Sequence, residues 1–250
     1  CNDSFVGPFA SLLPLIGPFL ASDDDYFGLT DSWEQRYHIQ SSFFLIKQPL
    51  LSAQSFTSFF DEYSFPNAKD DVIRLGEVEL GHRLMLAGAK INVHAPYHHL
   101  AGAWVRRFDA TIRRLQTYEE WTMGLGGYDA ARSLAPSRGH VGYAINWYLT
   151  FLGNIRECIA RNPQHVFWDV LIEDFGVPFV KRELISRNPA GIPEIHRIGA
   201  VVEAEFGTKS LQGMIADMKR DSILTPPPTT ISSQGETIAR IPGGSEAISP

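Results

Sequence analysis

The chain has 250 residues, 44 % of them hydrophobic and 12 % aromatic, which supports a large core and excludes global disorder. Lys and Arg total 22 against 28 Asp and Glu, a net charge of -6, so a nucleic-acid-binding domain with its basic excess is not expected. The 2 cysteines, Cys1 and Cys158, make neither a disulfide framework nor a zinc knuckle and fit a reducing compartment.

The sequence opens on Cys1-Asn2-Asp3-Ser4 and reads as a fragment that begins within a domain. Asn2 to Pro8 is the end of a strand running into a Gly-Pro turn. Phe9 to Ala21 is apolar but broken by Pro14, Gly17 and Pro18. It is too short to span a bilayer, and it lacks the basic flank of a signal peptide. Tyr26 to Thr30 reads as a short strand with a turn at Gly28. Tyr37 to Ile46 is the clearest strand, ending in Phe43-Phe44-Leu45-Ile46. Ser52 is the expected N-cap of a helix carrying Phe56, Phe59 and Phe60.

Asp70 to Ala87 has the best amphipathic pattern, with Val72, Ile73, Leu80, Leu84 and Leu86 on one face and Gly88 placed to end the helix. Lys90 to His94 then reads as a strand. The order strand, helix, helix, strand points to an α/β layer. Leu100 to Arg132 is helical and carries Arg106, Arg107, Arg113 and Arg114, which could meet phosphates or anionic lipid but are expected as a solvated face balanced by Glu119 and Glu120. Val141 to Ile159 is an aromatic helix. Asn162-Pro163 opens another that runs through Trp168 and Leu171 and stops at Gly176. After Leu224 the Pro-, Thr-, Ser- and Gly-rich tail reads as a disordered linker. The expected divisions are 1–99, the α/β core; 100–224, a helical continuation; and 225–250, the linker.

Several residues have the chemistry of a site. Asp3, at the exit of a strand, suits a hard cation against a diphosphate; an Asx-type turn is the other reading. His38, Gln40 and Ser42 alternate along their strand and so share one face, suited to a polyhydroxylated ligand or to solvent. Glu77 borders the buried face of its helix, where burial would raise its pKa towards that of a general base; a solvated helical glutamate is the alternative. His94, His98 and His99 are split by Pro96 and lack an acidic or Cys partner, so a surface loop is expected rather than a metal site. Lys181 and Arg182, after a Pro-restrained turn, could touch a diphosphate or be solvated charges between Phe179 and Leu184.

In order along the chain, six segments resemble the rhamnan synthesis protein F family of bacterial polysaccharide glycosyltransferases. Asn2-Asp3-Ser4-Phe5-Val6-Gly7-Pro8 resembles its N-D-S-x-x-G-P. Asp25-Tyr26-Phe27-Gly28-Leu29-Thr30 is similar to D-x-W-G-x-T, with Phe27 in the Trp place. His38-Ile39-Gln40-Ser41-Ser42-Phe43 is similar to H-L-Q-S-Y-F. Glu77, Leu80, Leu84 and Gly88 match a family helix. Asn162-Pro163-Gln164-His165-Val166-Phe167-Trp168-Asp169 resembles N-P-T-H-x-x-W-D, with Gln164 in the Thr place. Pro178-Phe179-Val180-Lys181-Arg182-Glu183-Leu184, followed by Arg187-Asn188-Pro189, resembles P-F-I-K-x-E-L-L and its N-P end. The likeness covers Asn2 to Pro189 and leaves Leu100 to Gly139 unmatched.

The resemblance implies an α/β, partial Rossmann-like GT-A type core with additional C-terminal helices, lacking the family's N-terminal nucleotide-binding half. It implies transfer of a sugar, rhamnose from a dTDP donor, to a growing glycan or lipid-linked glycan. Donor contacts would come from Asn2, Asp3, Ser4 and Lys181, with Asp3 holding a divalent cation (Mg or Mn). Glu77 would be the base and Asp31 its substitute, and His38, Gln40, Asn162, His165 and Trp168 would orient the acceptor. A cytoplasmic location at the inner face of the membrane, by peripheral association, goes with that chemistry. A non-catalytic glycan-binding or scaffolding module is the other function class.

Overall fold

A computed structural model describes residues 4–116 and 138–224. The expectations on Asn2, Asp3, Glu119, Glu120, the helix end at Arg132 and the tail after Leu224 lie outside the described residues.

β1 (Phe5–Val6) is followed by α1 (Leu13–Ala21), which forms despite its prolines. Pro14 sits in the first turn, where a missing N–H costs nothing. Pro18 lies inside the helix, and burial of Leu15 and Phe19 in the core offsets its lost backbone bond. β2 (Tyr26–Ser32) is buried along its whole length and runs straight through Gly28, with no turn there. Glycine serves a close approach instead: a Cβ at position 28 would lie 2.1 Å from Ile39 Cγ2.

The expected strand from Tyr37 to Ile46 is two pieces, β3 (His38–Ile39) and β4 (Phe44–Ile46), separated by a turn at Ser41-Ser42. β3 pairs antiparallel with the end of β2, Asp31 opposite Ile39, and β4 with its start, Tyr26 opposite Ile46. A short helix, α2 (Gln48–Leu51), comes next; Ser52 closes it rather than opening the following one. α3 (Gln54–Glu62) starts after Ala53, and of its three phenylalanines only Phe59 is buried.

The amphipathic helix appears where its periodicity places it, but in three parts: α4 (Lys69–Val72), a π-helical stretch (Ile73–Val78) and α5 (Glu79–Leu86). Gly88, at φ +85°, lets its own N–H and that of Ala89 return to Met85 and Leu84 and close the helix. β5 (Ile91–Ala95) then lies parallel to β2, Tyr26 opposite Ile91 and Thr30 opposite Ala95. These strands make a four-stranded sheet centred on β2.

α6 (Tyr97–Gln116) packs against α7 (Arg138–Arg156), with Trp104 edge-on to Phe151 at 4.8 Å and stacked on Tyr148 at 5.8 Å. Such pairs add about 0.5–1.5 kcal/mol beyond their buried area. The division expected at residue 99 falls inside α6, and the main core, from Phe5 to Phe179, draws on both sides of it. Two short helices, α8 (Pro163–Val166) and α9 (Trp168–Glu173), replace the single helix expected there. β6 (Val180–Lys181) pairs antiparallel with β1 in a separate two-stranded sheet and leads into α10 (Arg182–Ser186). A 3-10 turn (Ile195–Arg197), α11 (Ile198–Phe206) and α12 (Thr208–Leu224) complete the described chain. The fold is therefore mixed α/β, mostly helical with small sheets. Among the described residues, no helix is long and apolar enough to cross a membrane.

The arginines of α6 are not simply solvated. Arg107 binds Glu173 and Asp174 across to α9, and Arg114 binds the buried Glu194 through two guanidinium nitrogens, at 2.6 and 3.0 Å. Tyr148 donates to the same carboxylate at 2.7 Å. Nor do the histidines form one loop: His94 is in β5 beside the Phe175 carbonyl, while His98 and His99 are exposed on the first turn of α6.

Candidate functional site

Polar side chains converge where the carboxyl end of β2, β3 and the π-helical stretch meet. Strand ends of this kind are where open α/β sheets place their ligands, and a π-helical turn often marks a functional position. Glu77 lies on that turn. Its Oε1 is 3.3 Å from His38 Nε2, and its Oε2 accepts from Ser41 Oγ at 2.5 Å. His38 Nδ1 is 2.7 Å from the Arg36 carbonyl, so both ring nitrogens face acceptors and the imidazolium satisfies both.

The electrostatics agree. Burial pulls the His38 pKa down, but the Glu77 carboxylate and the Arg36 carbonyl outweigh it and hold His38 above its usual value. Burial likewise pushes Glu77 up, and His38 and Ser41 outweigh it, so Glu77 sits below the usual carboxylate value. The elevation expected for Glu77 from burial alone is therefore corrected: the hydrogen bonds win. Its side chain keeps 15 % exposure against 3 % for His38.

Asp31 is buried at the end of β2 and accepts from the Tyr97 N–H at 2.5 Å, capping the start of α6 from another element. Burial raises its pKa and that hydrogen bond opposes it. Tyr37 also bonds to Asp31, and its ring is 4.8 Å from that of Trp33, which is 58 % exposed. Glu34 is on the same segment. Partial desolvation raises its pKa against the charges of His38 and Arg161. Trp33, Glu34, Tyr37 and Arg161 were missed by the sequence reasoning; an acidic residue between two aromatics, in the irregular run after Ser32, was the available signal.

Gln40 and Ser42 do not join His38. Both are buried with Thr30 and Gln164. Thr30 Oγ1 lies 2.9 Å from Gln40 Oε1 and 2.9 Å from Gln164 Nε2, and Ser42 Oγ is 2.6 Å from that same nitrogen. The shared face expected from alternation is corrected: the turn at Ser41-Ser42 directs these groups inward. Trp168 is in the apolar core around Val6 and Val202, and His165 is buried beside it in sequence. The Asn162 side chain accepts from the Gln164 N–H at 3.0 Å as the cap of α8. None of the expected acceptor residues Gln40, Asn162, His165 and Trp168 is exposed.

The donor-side residues that are described meet on the other sheet. Lys181 Nζ is 3.1 Å from Ser4 Oγ and 5.0 Å from the centre of the Phe5 ring, and the Phe5 and Phe179 rings are 4.5 Å apart. Segments far apart in sequence, the first and last of the six, are thus neighbours. Among the described residues, no group of three His, Cys, Asp or Glu side chains could hold a metal ion.

The chain is 26 % identical over 216 residues to the "Virulence protein VirA" of Vibrio anguillarum (strain ATCC 68554 / 775), a match that covers 85 % of the chain. A second VirA sequence from Vibrio anguillarum matches to the same extent. The chain spans 58 % of the length of these curated relatives. No protein-family model and no solved structure matches it.

Proposed function

We propose that the chain is the acceptor-side part of a nucleotide-sugar-dependent glycosyltransferase of the rhamnan synthesis protein F type, with a Rossmann-like GT-A core. The reaction moves rhamnose from a dTDP donor to a growing cell-surface glycan at the inner face of the membrane. One observation carries the reading: Glu77, on a π-helical turn, is held ionised by His38 and Ser41 while keeping an edge to solvent. As the acceptor oxygen bonds to the anomeric carbon, its proton passes to Glu77 and the bond to the diphosphate breaks. Lys181, beside Ser4, supplies positive charge to the departing diphosphate. Asp3, outside the described residues, is the donor contact this reading assigns to hold a divalent cation, which would offset the diphosphate charge. Trp33 and Tyr37 offer aromatic faces to the sugar.

A non-catalytic glycan-binding module is the second reading. It is favoured by the engagement of both Glu77 oxygens inside the protein. The full-length protein, given labelled dTDP-rhamnose and a panel of other nucleotide sugars with a glycan acceptor, separates the two. Transfer that falls about 10²-fold or more in Glu77→Gln supports the enzyme. Consumption of no donor at all favours the module.

A further inference from the structure

Away from Glu77, the helix α7 carries two ridges. Tyr143, Trp147 and Phe151 recur every four residues, and so do Asn146, Thr150 and Asn154, so the ridges run side by side. Together with Arg161 and the Pro189-Ala190 turn they line a groove of about 360 Å³, the size of small-ligand sites, roughly 300–1,000 Å³.

The aromatic ridge is fixed in place. Trp147 Nε1 donates to the Ala190 carbonyl and Tyr143 OH to the Gly191 carbonyl, each at 2.9 Å. The polar ridge is uncommitted: Asn146, Thr150 and Asn154 make no side-chain hydrogen bond among the described residues, and Asn146 and Thr150 are exposed. Among the described residues, Arg161 is the one charged lining residue. A phosphate-rich or nucleotide ligand would find little charge there. A ligand with an apolar ring face and many neutral hydroxyls matches both ridges, and polar groups spaced by about 6 Å along the helix suit a repeating chain.

We propose that this groove binds a neutral oligosaccharide. Arg161, at the groove, is also among the charges that act on Glu34 at the candidate site. The inference deepens the transferase reading by giving the acceptor chain a seat; it rests on that reading for the acceptor's identity and not for the binding itself.

The test is titration calorimetry on the full chain without donor, using a rhamnose tetrasaccharide, maltotetraose and a tetra-alanine peptide as probes. Saturable binding of a tetrasaccharide, weakened about tenfold or more in the Asn146→Ala/Thr150→Ala double variant at an unchanged thermal midpoint, supports the groove; one lost bidentate contact converts to roughly that factor. The exposed pair is used because Trp147 also packs into the core. Binding of neither tetrasaccharide, equal binding by the double variant, or binding of the peptide alone overturns it. Saccharide binding without transfer from any donor keeps the groove and overturns the transferase reading. Transfer with binding and KM unmoved in the double variant does the reverse.

Discussion

Two polar clusters draw on the same short segment, His38 to Ser42, and they are built on opposite terms. Gln40 and Ser42 join Thr30 and Gln164 in a buried set of neutral amides and hydroxyls. His38 and Ser41 turn to Glu77 and form an ionic set with an edge to solvent. A buried neutral network serves the fold, because any member left unpaired bears its full desolvation cost. An ionic set at the surface keeps a charge available at a fixed place, which is what chemistry needs.

The contrast predicts its largest stability effect in the neutral cluster. Gln164→Ala takes the amide partner from Ser42 Oγ, leaves Thr30 Oγ1 with Gln40 alone and opens a cavity at a buried position, and should cost about 2–4 kcal/mol, read as a drop in the urea midpoint. Next comes Gly28→Ala, whose Cβ meets Ile39 Cγ2 at 2.1 Å and Ile39 Cβ at 3.2 Å. A branched side chain so close to its own Cβ cannot swing clear, and about 1–3 kcal/mol should be lost.

The ionic cluster should be cheaper to break and dependent on pH. Glu77→Gln removes the charge facing His38, whose side chain is 3 % exposed, for about 1.5–3 kcal/mol at the most favourable pH. His38 has a raised folded-state pKa, so its contribution is complete below its ordinary value of 6.5 and is lost as pH rises through the folded value. Glu77 has a lowered one, so its contribution is complete above 4.5 and is lost as pH falls through the folded value. The stability gap between wild type and Glu77→Gln should therefore be widest between pH 4.5 and 6.5 and narrow on both sides. A gap independent of pH would show that the pair is not ionic. Arg107→Ala, at a surface pair with Glu173 and Asp174, should cost no more than about 1 kcal/mol.

Local pattern made some of this legible. The helix ending at Gly88, the strand after it and the cap at Asn162 follow from apolar spacing, a left-handed glycine and a side-chain acceptor, each confined to a few residues. What failed depended on distant partners. Burial of Leu15 and Phe19 carries α1 past its prolines, and Gly28 punctuates nothing because its role is set by Ile39 across the sheet. Alternation along 38, 40 and 42 holds only for a continuous strand, and the turn at Ser41-Ser42 interrupts it. Glu77 was legible as a residue at a core border. Its pKa was not, because His38 and Ser41 reach it from another element.

The central claim is that the Glu77 carboxylate takes the acceptor proton, and Glu34, whose pKa is raised, is its nearest rival for that role. The most direct measurement compares kcat for sugar transfer by full-length wild type, Glu77→Gln and Glu34→Gln, with the thermal midpoint of each recorded alongside. The account predicts a fall of about 10²-fold or more for Glu77→Gln at a nearly unchanged midpoint, and a much smaller fall for Glu34→Gln. Full turnover in Glu77→Gln, or the large loss appearing in Glu34→Gln instead, would contradict it.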